Sequence, residues 1–306
     1  MPEQRIISLI ASATEIVCAL GCEDKLVGIS HECDYPESVN RLPRCTEAKF
    51  QVEGLSCEIN ERLLSIVKDG LSVYRVFPEH LDTLKPDVIV TQSHCDVCAV
   101  SLNDVEEALK ELVTSKPRVV SLEPSTLSDI WASIKQVAEA LEVPEAGQQL
   151  TQEFRGRMDA IADRASTLTA KPKVACIEWI DPLMTAGNWM PELVSMAGGK
   201  DLFGIAGKHS PWLEWQDFVN AEPDVVLVFP CGWDRNKART ELVALEEKPE
   251  WAELDAVKNK QVYLIDGNQY CNRPGPRLVE TLEILAEIFH PEQFNFGHQD
   301  IGWSVY

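Results

Sequence analysis

The sequence predicts an α/β fold: two Rossmann-like lobes with mostly parallel sheets, joined by a long α-helical connector. Three observations predict it. Short β-rich runs alternate with longer helical patterns along the 306 residues, as parallel sheets with crossover helices require. The plan is then written twice: LKPDVIVTQ at 84–92 returns as AEPDVVLVF at 221–229, and RVVSLEPS at 118–125 returns as QVYLIDGN at 261–268. Between the copies, residues 126–167 read as helix almost throughout. A chain of this length also exceeds the usual size of one core. The expected division is 1–125 for the first lobe, 126–170 for the connecting helix, and 171–306 for the second lobe with a closing helix and tail.

In order along the chain, RIISLI (5–10) is a buried strand, followed by the helix ASATEIVCALG, with Ser12 and Thr14 as N-cap candidates and Gly21 as its stop. KLVGIS (25–30) is the next strand, and LKPDVIVTQ another, entered through Pro86 and Asp87. In the connector, Ile130, Ile134, Val137, Ala138 and Leu141 recur at three- and four-residue steps and form one apolar stripe. Pro144 must break or restart that helix, because it lacks an N–H and clashes with the preceding turn. A helical connector sets the lobes at a fixed spacing, where a Gly/Ser linker would let them swing. PKVACIEWI (172–180) opens the second copy, and ELVSMAGG (192–199) closes a helix at a glycine pair. RLVETLEILAEIFH (277–290) is an amphipathic closing helix, and the tail to Tyr306 is irregular.

Composition narrows the function. Forty-nine acidic against 28 basic residues give a net charge of −21, which repels phosphate backbones and anionic lipid and argues against nucleic acid as a partner. The acidity suits a cationic or neutral ligand, or a partner presenting Arg and Lys, and it also serves solubility alone. No window approaches the roughly 18 uninterrupted apolar residues of a membrane span. The N-terminus MPEQRIISLIASATEIV lacks the pattern of a secretory signal, and ten cysteines are scattered rather than dense, so the expected compartment is the cytoplasm. There is no G-x-S-x-G elbow, P-loop or G-x-G-x-x-G turn, and the expectation is a non-enzyme.

In open α/β sheets ligands sit beyond the carboxyl ends of the strands. In the second lobe those loops carry Trp179, Trp189, Trp212, Trp215, Trp233, Tyr270 and Arg273. Some of these rings seal loops onto the sheet, Trp215 against its own helix start. As a set they suit a flat apolar ligand wall, with large contact area at low entropic cost. Arg273 adds a five-donor fork matched to amide carbonyls or carboxylates. In the first lobe, HECDYP (31–36) and HCDVC (94–98) bring His31, Cys33, His94, Cys95 and Cys98 within the same set of loops. Three readings stand: a Zn or Fe site using Cys95, Cys98 and His94, a redox dithiol, or thiols that line a cleft. The first would make the chain a metal-handling protein or metalloenzyme.

At these loops the sequence resembles the cobalamin-binding branch of the ABC-importer substrate-binding proteins, in which two lobes are joined by one long helix. The likeness runs from Arg5 to Pro291 and is carried by SLIASATEIVCALG, VGISHECDYP, LKPDVIVTQSHCDVCAVS, EWIDPLMTAGNWMPELVSMAGG, HSPWLEWQDF, PDVVLVFPCGW and DGNQYCNRPGPRLVETLEILAEI. It implies a corrinoid, cobalamin or a relative, held between the lobes with little closure. It implies Trp212 as an aromatic wall, Arg273 as a side-chain contact, Tyr270 as the neighbouring aromatic, and Tyr35 with the 92–98 loop as the first lobe's contribution. It further implies an ABC permease as partner, docked through one acidic residue per lobe, for which Glu79 and Asp217 are the matching positions. His94 or His209 would be placed to approach the cobalt axially.

Overall fold

The computed structural model describes residues 4–68, 72–93, 102–110 and 116–306. Contacts divide the chain into two units: Met1–Gly54, Glu58–Pro124 and Ser128–Glu153 form the first; Leu55–Cys57, Ser125–Leu127 and Phe154–Tyr306 form the second.

In the first unit, β1 (Ile6–Ser8) runs into α1 (Ala11–Ala19), followed by β2 (Leu26–Ile29), β3 (Thr46–Ala48), α2 (Ser56–Lys68), β4 (Tyr74–Val76), α3 (Pro78–Leu84), β5 (Val88–Gln92), α4 (Leu102–Lys110), β6 (Arg118–Leu122) and α5 (Leu127–Ala140). Among the described residues the sheet order is β2-β1-β5-β6, all parallel, and β3 and β4 form a separate antiparallel ribbon. One face of the sheet buries Ile7, Leu9 and Ile89 with Cys45, Val76, Leu81 and Val105. The predicted stripe of α5 is buried as a whole, Ile130, Ile134, Val137 and Ala138 at 0% exposure and Leu141 at 1%.

The helix starts differ from the cap expectation. Ile10, with no side-chain cap, precedes α1, and Ser12 and Thr14 lie buried within it. β1 leads so directly into α1 that no exposed cap position exists. The Thr14 hydroxyl turns inward instead, to Ser8 Oγ at 2.8 Å. Glu142, at φ 61, ends α5, and Pro144 opens α6 (Pro144–Ser166), the position where a missing N–H costs nothing.

The second unit continues with β7 (Lys173–Trp179), β8 (Met184–Thr185), α7 (Met190–Met196), β9 (Lys200–Asp201), α8 (Trp215–Asn220), β10 (Val225–Val228), α9 (Arg235–Glu241), α10 (Val243–Glu246), α11 (Asp255–Lys258), β11 (Val262–Ile265), α12 (Leu278–Phe289) and β12 (Trp303–Val305). Its sheet runs β12-β11-β10-β7-β8, with β9 parallel to β7. The series β9-β7-β10-β11 thus repeats the parallel order β2-β1-β5-β6.

The repeated Pro-Asp-Val motif does the same work in both units. Asp87 Oδ2 accepts from Arg5 N at 2.8 Å at the start of β1, and Asp224 Oδ2 accepts from Lys173 N at 2.7 Å at the start of β7. The residue before each proline, Lys85 at φ 46 and Glu222 at φ 49, is left-handed. Each carboxylate therefore clamps the first strand of its unit to the strand that the motif opens.

Two expectations for the C-terminus are corrected. The tail is not irregular throughout: β12 pairs antiparallel with β11, Ile265 opposite Trp303. Nor does α12 keep a wet polar face, since Glu283 and Glu287 are buried and Glu280 is half-buried. The tail folds back and satisfies them. Glu287 accepts from Gly297 N at 2.6 Å and Trp303 Nε1 at 2.7 Å, and Glu283 accepts from Arg157 Nη2 at 2.7 Å and His298 Nε2 at 2.8 Å. Buried carboxylates persist when they are supplied with donors in this way.

Candidate functional site

The carboxyl ends of β7, β10 and β11 in the second unit form a cross-tied rim. Gly267 begins a single π-turn, Gly267–Cys271, pressed against the chain that leaves β10. A Cβ there would lie 2.4 Å from the Pro230 carbonyl oxygen and 2.6 Å from that of Phe229, so only glycine fits. The two loops are then laced: Asn268 N donates to Trp233 O at 3.1 Å, and Asn272 Nδ2 to Phe229 O at 3.1 Å. Cys231 N donates to Glu178 O at 3.2 Å, which brings the end of β7 into the same lattice. Asp266 accepts from Gln269 N at 2.8 Å and Nε2 at 3.0 Å, yet burial pushes its carboxyl above the usual range.

The predicted aromatic residues have separate fates on this rim. Trp189 is buried and donates Nε1 to Cys271 O at 3.0 Å. Trp233 is buried and meets Trp179 at 5.0 Å between ring centroids, with Lys237 Nζ 4.3 Å from the Trp233 ring. The Trp179 indole N–H is buried and has no hydrogen-bond partner among the described residues. Tyr270 is buried, with the Arg277 guanidinium 5.7 Å from its ring and His298 edge-on at 6.4 Å. Arg273, 6% exposed, donates Nη2 to Asn268 Oδ1 at 2.8 Å. Trp215 stacks on Phe218 of its own helix at 5.2 Å, as expected. Trp212 alone of this set stands out, at 57% exposure.

Beside Trp212 lies a cavity of about 290 Å³ whose walls include Pro182, Trp215, Leu245 and Lys248. Sequence reasoning missed Lys248, since a lysine among glutamates in a helical stretch carries no signal. It also missed Ile205, 66% exposed on the loop that precedes Trp212.

In the first unit, Tyr35 is 47% exposed in the loop after β2. His31 Nδ1 lies 2.8 Å from Thr46 Oγ1, and burial, reinforced by Arg44, holds its pKa below the ordinary histidine value. Cys33 is buried with its sulfur 3.0 Å from Thr14 Oγ1. His94, Cys95 and Cys98 lie outside the described residues. Burial pushes the thiols of Cys18 and Cys45 up to about 12, and those of Cys176 and Cys271 well above the ordinary value. Such thiols stay protonated at neutral pH and are poor nucleophiles and metal ligands. Among the described residues the cysteines are free, and no group of three or more His, Cys, Asp or Glu side chains is arranged to hold a metal ion. At the ends of β5 and β6, Ser93 Oγ meets Ser121 Oγ at 2.8 Å and donates to Glu123 Oε1 at 2.5 Å, a polar pair that the sequence reading did not single out.

Glu79 and Asp217 are both exposed and both sit in the first turn of a helix, α3 and α8, that leads into the Pro-Asp-Val clamp of its unit. Glu79 lies seven residues before Pro86 and Asp217 six before Pro223, so the two positions differ by one residue.

Residues 6–269 match the periplasmic binding protein family. The chain belongs to that family. Among relatives of this periplasmic binding protein, an uncharacterized ABC transporter substrate-binding lipoprotein, YvrC of Bacillus subtilis, is 25% identical over 95% of this chain and 81% of its own length. The vitamin B12-binding protein of Vibrio vulnificus is 24% identical over 94% of this chain and 90% of its own. Among solved structures, the periplasmic vitamin B12-binding protein BtuF of Vibrio cholerae superposes with a TM-score of 0.66 at 24% identity, covering 95% of this chain and 98% of that one. The periplasmic heme-binding protein RhuT from Roseiflexus sp. RS-1 gives 0.70 at 23%, covering 94% and 98%. The names of BtuF, RhuT and YvrC point to the periplasm or a lipid anchor, unlike the cytoplasmic expectation for this chain. Among the described residues, no helix is long and apolar enough to cross a membrane.

Proposed function

We propose that this periplasmic binding protein is a receptor for cobalamin or a related corrinoid, serving an ABC permease. The observation that carries the reading is Trp212: an indole exposed on a rim whose other rings are packed or bonded, in a chain that aligns along nearly its whole length with vitamin B12-binding proteins. A corrin presents a broad apolar face ringed by amides. Trp212 would cover the face, and Tyr35 is the first unit's exposed ring with the same capacity. The loop 268–273, kept in shape by the Arg273–Asn268 bond, would offer its donors to the amides. The acidic balance of −21 suits a neutral or cationic solute and an Arg- and Lys-bearing permease surface, with Glu79 and Asp217 as the docking charges.

The experiment is calorimetric titration of the protein with cyanocobalamin, followed by the visible spectrum of the desalted mixture. Binding and co-elution at tens of micromolar are expected. Hemin that co-elutes where cyanocobalamin does not would transfer the reading to another tetrapyrrole. The metal-handling alternative is tested by elemental analysis of untagged protein. A stoichiometric metal lost on Cys95→Ser/Cys98→Ser would favour it over the corrinoid.

A further inference from the structure

The tail that follows α12 lies beyond the residues that match the family, 6–269. We propose that His298 and Gly302, in the turn before β12, are positioning residues that set the shape of the loop 266–273 through Tyr270. The inference uses the corrinoid reading only for the ligand that reports on it.

The turn is a fixed body. Its closure comes from the His298 carbonyl, which accepts from Ile301 N at 3.1 Å, Gly302 N at 2.8 Å and Trp303 N at 3.3 Å, while Asp300 N donates to Trp303 O at 2.7 Å. Two carboxylates of α12 anchor it. Glu287 takes the amides of Phe296, Gly297 and His298 and the Trp303 indole, and Glu283 takes His298 Nε2 at 2.8 Å. Charge-assisted bonds to a buried acceptor on a buried helix leave the turn little freedom.

This body touches the loop at three points. Gly302 O accepts from Asp266 N at 2.9 Å, where the loop leaves β11. The backbone of Gly302 lies against the Tyr270 ring: a Cβ would come within 3.0 and 3.3 Å of two ring atoms and 2.8 Å of Ile284 Cδ1. The His298 imidazole meets the same ring edge-on, at an interplanar angle of 66°. With Arg277 also 5.7 Å from the ring, Tyr270 sits in a slot whose walls belong to the tail and to α12. Its neighbours in the loop carry the rim: Cys271 O holds the Trp189 indole, and Asn268 holds Arg273. Displacing the ring therefore moves the groups that hold the rim in shape. A tail that only completed the sheet would need neither a glycine against Tyr270 nor a histidine at its edge.

The test uses the full chain with Gly302→Val and His298→Gln, and with Ile301→Ser as control, a position in the same turn that is 68% exposed. Hydrogen exchange at Asn268, Gln269, Tyr270 and Asn272, and the Kd for cyanocobalamin, are measured against wild type. Both test variants should speed exchange in 266–273 by about ten-fold while the amides of β7 and β10 keep wild-type rates. Kd should rise about ten-fold, and the control should change neither quantity. If Gly302→Val does not fold, His298→Gln decides alone. Loop exchange and Kd equal to those of the control would overturn the proposal, as would exchange accelerated evenly across the second unit. A wild-type protein that ignores cyanocobalamin would defeat the corrinoid reading, and exchange alone would then decide the positioning.

Discussion

The two units share one plan and treat their strand ends differently. In the first, Tyr35 is a half-exposed ring on a loop beyond β2, and polar pairs such as Ser93–Ser121 occupy the ends of β5 and β6. In the second, Trp189, Trp233, Tyr270 and Arg273 are buried, an added strand extends the sheet, and Trp212 is the exposed ring among the described strand-end aromatics. The contrast shows that aromatic residues gathered at strand ends serve mainly to fix the rim.

Four measurements test this contrast. The largest effect is expected from Trp189→Ala, which removes a buried indole and its bond to Cys271 O. The second unit should lose about 3–5 kcal/mol in chemical denaturation. A loss below about 1 kcal/mol would mean that the ring is not structural. Trp212→Ala should leave stability within about 0.5 kcal/mol and weaken cyanocobalamin by about 1–3 kcal/mol in calorimetry. Unchanged affinity would remove Trp212 from the wall.

A third measurement follows from the pair under the tail. The bond to Glu283 raises His298 above 6.5, and although burial opposes it, bonds from His298 and Arg157 hold Glu283 below 4.5. The histidine's contribution is complete below about pH 6.5 and is lost as pH rises through its folded value. The carboxylate's is complete above about pH 4.5 and is lost as pH falls through its folded value. Glu280, raised by burial, and Glu287 face the same pocket and add to the field on His298. The second unit should therefore unfold at lower denaturant at pH 8.5 than at pH 6, and His298→Ala should flatten that slope. Equal slopes in the two proteins would refute the assignment. The smallest effect on the protein itself is expected from Glu79→Lys/Asp217→Lys: stability within about 0.5 kcal/mol and unchanged cobalamin affinity, but lost stimulation of the permease ATPase. Undiminished stimulation would return both residues to the ordinary surface.

The repeated Pro-Asp-Val was legible because one short motif performs one local task, clamping two adjacent strands through a carboxylate. The stripe of α5 was legible for the same reason, as its period is local. The fate of each tryptophan was not. Trp189 and Trp212 look alike in sequence, and what separates them is Cys271 O, 82 residues from Trp189 along the chain. The glutamates of α12 read as a wet face because their partners lie beyond the helix, on α6 and in a tail whose strand is only three residues long and shows no period. Gly267 was visible as a loop glycine, but its need for zero side chain comes from Pro230 and Phe229, which only the folded sheet brings near.

The helix α6 has one further consequence. It is 23 residues long, roughly 34 Å at the rise of an α-helix, and the division between the units falls inside it, after Glu153. Neither unit ends at a loop there. Severing the chain at that point would cut a continuous hydrogen-bonded ladder and leave two stumps near or below the length at which isolated helices hold together in water. A cut after Glu153 therefore falls within hydrogen-bonded helix and not in a linker.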